Sequence, residues 1–132
     1  GGTVLFTEDE SQVRALTRLQ LERGGYRVLS AGSADEAIRI AQTYEGTIDA
    51  LVTDIVMPGI NGIELASRLS AELPSLRILF VSGYAEVEIP KEGLMSTARL
   101  LPKPFTMKEL LTTLSEIMEE GAPPEATIPT AR

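Results

Sequence analysis

The sequence predicts a single α/β domain, an open doubly wound sheet of parallel strands. Two observations point to it. Five short apolar runs alternate with amphipathic stretches, and a βα unit repeated five times implies parallel strands covered by helices on both faces. The chain has 132 residues, 43% of them hydrophobic, enough for one core with little room for a second.

The elements follow in order. Thr3 to Thr7 reads as the first strand. Ser11 to Arg23 reads as a helix with Val13, Leu16 and Leu19 at helical spacing, and Gly24-Gly25 ends it. Tyr26 to Ala31 is the second strand. Ser33 to Glu36 is a capping-box pattern that opens a helix carrying Ala37, Ile38, Ala41 and Tyr44. Ile48 to Thr53 is the third strand, apolar enough to lie centrally with both faces buried. Pro58, Gly59, Asn61 and Gly62 form a turn-rich loop. A helix with Ile63, Ala66, Leu69 and Leu73 follows, closed by Pro74. Arg77 to Val81 is the fourth strand. Gly83 to Thr97 contains Pro90 and Gly93, which argues for a short or irregular helix. Ala98 to Leu101 is the fifth strand. Thr106 to Glu109 is a second capping box, and its helix carries Met107, Leu110, Leu111, Leu114, Ile117 and Met118 in a 3.6-residue stripe. Residues 121–132 carry prolines and no apolar period, the pattern of a flexible tail.

Composition narrows the chemistry. There is no cysteine and no histidine, so thiolate and imidazole metal sites and disulfides are excluded. A metal here would need oxygen ligands, which favours Mg²⁺, Mn²⁺ or Ca²⁺. The net charge of −7 argues against nucleic-acid binding by this domain. No apolar run approaches the roughly 18–20 residues of a membrane span, and the first residues carry no signal-peptide pattern.

Ligands of open α/β sheets bind beyond the carboxyl ends of the strands. Strand one runs into Glu8, Asp9 and Glu10, strand three into Asp54, strand four into Ser82-Gly83, and strand five into Lys103 between two prolines. Strand two runs into Ala31-Gly32, with nothing chemically committed. Singly, each has a plain reading: loop charges, a turn cap, a Ser-Gly turn, a surface lysine. Jointly, they bring acids, a hydroxyl and an ammonium to one rim. Clustered carboxylates repel unless a cation joins them, and Mg²⁺ suits such a site. Asp54 is then the nucleophile toward a phosphoryl group, being ionised at pH 7 without a base. Lys103 and Ser82 stabilise the phosphoryl oxygens.

These residues carry a resemblance. VLFTEDE, LVTDIVMPGINGIEL, LFVSGY and LLPKPFTMKEL, in that order, resemble a response-regulator receiver domain over residues 3 to 120, with residues 121–132 beyond it. The resemblance implies a flavodoxin-like sheet of order 2-1-3-4-5 with five helices. It implies that Asp54 is phosphorylated by a histidine kinase or phosphotransfer domain. It also implies that Glu8, Asp9, Asp54 and the backbone carbonyl of Val56 bind Mg²⁺, that Ser82 is a switch hydroxyl, and that Lys103 pairs with the phosphoryl group ahead of a cis Lys103–Pro104 bond. The domain is expected to be cytoplasmic, without membrane contact, and no enzyme beyond self-catalysed phosphotransfer and dephosphorylation.

Three features depart from the family pattern. Glu8 stands where aspartate is commoner, Leu100 stands at the switch-aromatic position, and the fourth helical segment is irregular. The EDE, SGY and KPFT pieces resemble receivers attached to hybrid sensor histidine kinases. Two alternatives stand beside this reading: a binding module that never uses phosphate, and a metal-dependent phosphatase with an aspartyl nucleophile. The latter needs an acid/base near the nucleophile, commonly two residues on, where this chain has Val56. No sequence feature specifies the kinase, the output partner or the oligomeric state.

Overall fold

The structure, a computed structural model, describes residues 1–83 and 98–119. The elements are β1 (Gly2–Thr7), α1 (Ser11–Arg23), β2 (Tyr26–Ala31), α2 (Ala34–Thr43), β3 (Ala50–Asp54), α3 (Gly62–Glu72), β4 (Arg77–Ser82), β5 (Arg99–Pro102) and α4 (Met107–Glu119). The five strands form one parallel sheet of order β2-β1-β3-β4-β5, the order the resemblance implies. The expectations for the segment between β4 and β5 and for the tail fall on residues 84–97 and 120–132, outside the described residues.

The sheet separates two layers of core. Leu5, Leu51, Ile78 and Phe80 face Ala34 and Ala37 of α2 and Leu65, Ala66 and Leu69 of α3. Val4, Phe6, Val52, Leu79 and Val81 face Leu21 of α1 and Leu110, Leu114 and Ile117 of α4. Side chains of a strand alternate between faces, so a central strand covered on both sides is apolar throughout. All five residues of β3 are accordingly buried.

Both capping boxes form. Ser33 accepts from the Glu36 amide at 3.1 Å, while the Glu36 carboxylate reaches one residue further back, to the Gly32 amide at 2.8 Å. At α4 the exchange is fully reciprocal: Glu109 N–H to Thr106 Oγ1 at 3.0 Å and Thr106 N–H to Glu109 Oε1 at 2.8 Å. These bonds satisfy amides that the first helical turn leaves unpaired.

The helix read over Ser11 to Arg23 forms as α1, but its Val13, Leu16, Leu19 stripe lies away from the core; Leu16 is 58% exposed and the other two are exposed as well. Thr17 and Leu21 are the buried positions. A spacing of 3, 3 drifts around a helix of 3.6 residues per turn, and the face that meets Leu110 and Leu114 is set by Leu21. Small shifts of boundary also occur: β3 begins at Ala50 rather than Ile48, and β5 runs Arg99–Pro102 rather than Ala98–Leu101.

Candidate functional site

Parallel strands place all their carboxyl ends on one edge, and four of the five deliver the polar residues. Asp54 is the last residue of β3, between β1 and β4. It is almost buried, with 9% of its surface exposed. Beneath it, the Thr7 and Thr53 hydroxyls hydrogen-bond across β1 and β3, and Thr53 Oγ1 donates to the Asp54 carbonyl at 2.9 Å. Gly62, the first residue of α3, packs directly on this backbone: a β-carbon there would lie 2.1 Å from the Asp54 carbonyl oxygen. Its N–H donates to the Ile55 carbonyl at 2.8 Å. The loop from Asp54 to α3 is thus closed by a glycine that gives room for main chain.

Lys103 follows β5 and reaches across β4. Its Nζ lies 2.8 Å from Asp54 Oδ2. The Lys103 amide donates to the Ser82 carbonyl at 2.7 Å, and the bond to Pro104 is cis, as expected. Burial pulls the Lys103 ammonium down, but the hydrogen bond and charge of Asp54, with Glu8 and Asp9, outweigh it and leave the group raised. Ser82 is buried at the end of β4.

Glu8 turns inward after β1 and is only 7% exposed. With Lys103 it lines a cavity of about 50 Å³ whose walls include Phe6, Val52, Val81 and Phe105. Burial raises its carboxyl above the ordinary value. The Glu10 amide and the Lys103 charge oppose that shift, while Asp54 and Asp9 add to it. Asp9 and Glu10 are exposed. Val56, two residues past Asp54, is 54% exposed.

The site therefore joins Asp54 and Lys103 directly and sets Glu8 and Asp9 close enough to act on Lys103 by charge. Leu100 stands apart, 40% exposed on β5 and paired in register with Phe80. Three contributors escape the sequence reading: the Thr7–Thr53 pair, Gly62, and Arg14, whose Nη1 donates to the Glu8 carbonyl at 2.7 Å. The threonines carry a signal, as polar residues within apolar strands. Gly62 reads as an ordinary turn residue and Arg14 as helix surface.

A hard divalent cation suits these donors. All are oxygens, and Glu8 is a desolvated carboxyl raised further by the charges of Asp54 and Asp9, a situation that added positive charge relieves. Among the described residues no three acidic side chains converge into a ready cage. Mg²⁺, which keeps several waters and takes one or two carboxylates, matches that arrangement.

Comparison with known proteins gives a consistent result. The chain matches the response regulator receiver domain family over residues 4–115. It is 40% identical over 120 residues to the sensor kinase CckA of Brucella abortus (strain 2308), covering 89% of this chain and 13% of that protein. It is 34% identical over 116 residues to the response regulator receiver protein CpdR of the same organism, covering 87% of this chain and 95% of that one. The chain thus spans a small part of one relative and nearly all of the other. Among solved structures, the receiver domain from the hybrid histidine kinase CckA aligns with a TM-score of 0.75 at 35% identity, covering 89% of this chain and 99% of that one. The response regulator protein TrrA from Thermotoga maritima, in complex with Mg²⁺-BeF, aligns with a TM-score of 0.72 at 26% identity, covering 89% and 99% of the two chains. With the 2-1-3-4-5 parallel sheet and the acid–lysine edge already described, these matches make the chain a member of the response regulator receiver domain family of two-component systems.

Proposed function

We propose that Asp54 accepts a phosphoryl group from a phosphohistidine of a histidine kinase or phosphotransfer domain, with Mg²⁺ held by Glu8, Asp9, Asp54 and the Val56 carbonyl. The carrying observation is the 2.8 Å contact of Lys103 Nζ with Asp54 Oδ2 at the carboxyl edge of the sheet. That contact orients the carboxylate and leaves Oδ1 as the attacking oxygen. As the Oδ1–P bond forms, the donor P–N bond breaks and its electron pair returns to the imidazole. Lys103 moves its hydrogen bond toward a phosphoryl oxygen, and the Ser82 hydroxyl stabilises another. Mg²⁺, when bound by these residues, would supply charge neutralisation for the phosphoryl group. The acyl phosphate then biases the domain between two conformations, and its hydrolysis is self-catalysed.

Residues 3–120 make up the signalling unit on this reading, with 121–132 as a tail. A cytoplasmic location goes with it, as does a hybrid-kinase parent, supported by the likeness to the CckA receiver. Incubation with Mg²⁺ and acetyl phosphate, followed by mapping of the added mass, tests the site. The label is expected on Asp54 and lost in Asp54→Asn. Stable labelling that survives this substitution refutes the assignment, and sustained turnover of a phosphomonoester would instead support a phosphatase.

A further inference from the structure

We propose that Arg14 is a positioning residue for the acidic loop, and that Gly32 is glycine in order to admit it. The inference rests on the Mg²⁺-dependent reading above. Glu8 is held at each of its polar groups. Its N–H donates to the Ala31 carbonyl at 3.1 Å, its Oε2 accepts from the Glu10 amide at 3.1 Å, and its carbonyl accepts from Arg14 Nη1 at 2.7 Å. The third bond acts on the peptide plane shared by Glu8 and Asp9. Fixing that plane fixes ψ of Glu8 and φ of Asp9, and with them the direction in which both side chains leave the loop.

Gly32 supplies the independent observation. A β-carbon there would lie 2.9 Å from Arg14 Nη1, 3.3 Å from Cζ and 3.6 Å from Nη2, so the guanidinium rests against the glycine. Gly32 is not among the residues with positive φ, so its backbone does not demand glycine. The clearance it provides is for Arg14. The end of β2, the one strand end without chemistry of its own, thereby acquires a role: Ala31 holds the Glu8 amide and Gly32 seats the side chain that holds the Glu8 carbonyl. Lysine is an incomplete substitute, since its flexible ammonium lacks the pre-organised planar fork of arginine.

The test is calorimetric titration of the chain with Mg²⁺ alone. Arg14→Ala is expected to weaken binding about 10-fold or more, as loss of a partner that orients metal ligands does. Arg14→Lys should recover part of the loss. Gly32→Ala should weaken binding in the same direction by displacing the guanidinium, and should add nothing in the Arg14→Ala background. A metal-free readout accompanies it: hydrogen exchange at the Glu10 amide should quicken in Arg14→Ala and Gly32→Ala. Binding by Arg14→Ala within about twofold of the parent, or additive effects of the two substitutions, overturns the proposal. If the parent chain itself shows no Mg²⁺ binding, the phosphoacceptor reading falls and this inference with it. If the parent binds and Arg14→Ala binds equally, only the Arg14 clamp falls.

Discussion

Replacing Gly62 by alanine puts a methyl group where the Asp54 main chain already is. The new β-carbon would lie 2.1 Å from the Asp54 carbonyl oxygen and 3.0 Å from both Asp54 C and Ile55 Cα, whereas real β-carbons do not approach closer than 3.0 Å. The two backbones must therefore separate by about 0.9 Å, the shortfall at the oxygen. The obstacle is main chain, so no rotamer change relieves it. Alanine gains at most about 1 kcal/mol of helix propensity over glycine, less at the first helical residue. Overpacking of this kind costs roughly 1–3 kcal/mol, so the clash wins. Thermal denaturation should show a melting point lower by roughly 3–15 °C. A displacement near 1 Å at a reacting group can slow a reaction about 100-fold, so acetyl phosphate should label Asp54 far more slowly. Gly25→Ala is the control. Gly25 has φ of +101° and nothing within 4 Å of its β-position, and it precedes β2 at the opposite edge of the sheet. It should lose roughly 1–2 kcal/mol from backbone strain alone and keep the parent labelling rate. A Gly62→Ala chain that melts like the parent and is labelled at the parent rate would refute the argument.

Three further outcomes are expected. Lys103→Gln removes the ammonium 2.8 Å from Asp54 and should slow labelling by about 10²–10³-fold at saturating Mg²⁺; an unchanged rate would remove Lys103 from the chemistry. Glu8 is raised above 4.5, chiefly by burial, so the folded chain binds this proton more tightly than the unfolded chain. Its favourable contribution is complete below pH 4.5 and is lost as pH rises through the folded value. In metal-free buffer, Glu8→Gln should therefore gain stability relative to the parent across that window, and a pH-independent difference between the two unfolding curves counts against it. Leu114→Ala hollows a fully buried position between α4 and the sheet and should cost about 2–5 kcal/mol in a urea titration, with a loss under about 1 kcal/mol contradicting the packing.

The sequence by itself determined the fold class, because alternation of apolar periods is local and leaves few connections open. It determined which edge carries the site as well, since parallel strands share one carboxyl edge and Glu8, Asp54, Ser82 and Lys103 each follow or end a strand. The capping boxes at Ser33 and Thr106 were legible for the same reason, being contacts within one helical turn. The strand order was implied by the family resemblance rather than by periodicity, which is compatible with many orders. Only the tertiary structure decided which face of α1 is buried, because Val13, Leu16 and Leu19 and the pair Thr17 and Leu21 are both helical patterns until α4 selects one. It alone decided that Lys103 meets Asp54 across 49 residues of chain, that Gly62 must clear the Asp54 carbonyl, and that Arg14 rests on Gly32. Those are distances between separately folded segments, and they are set by register and packing through space rather than by the spacing of residues along the chain.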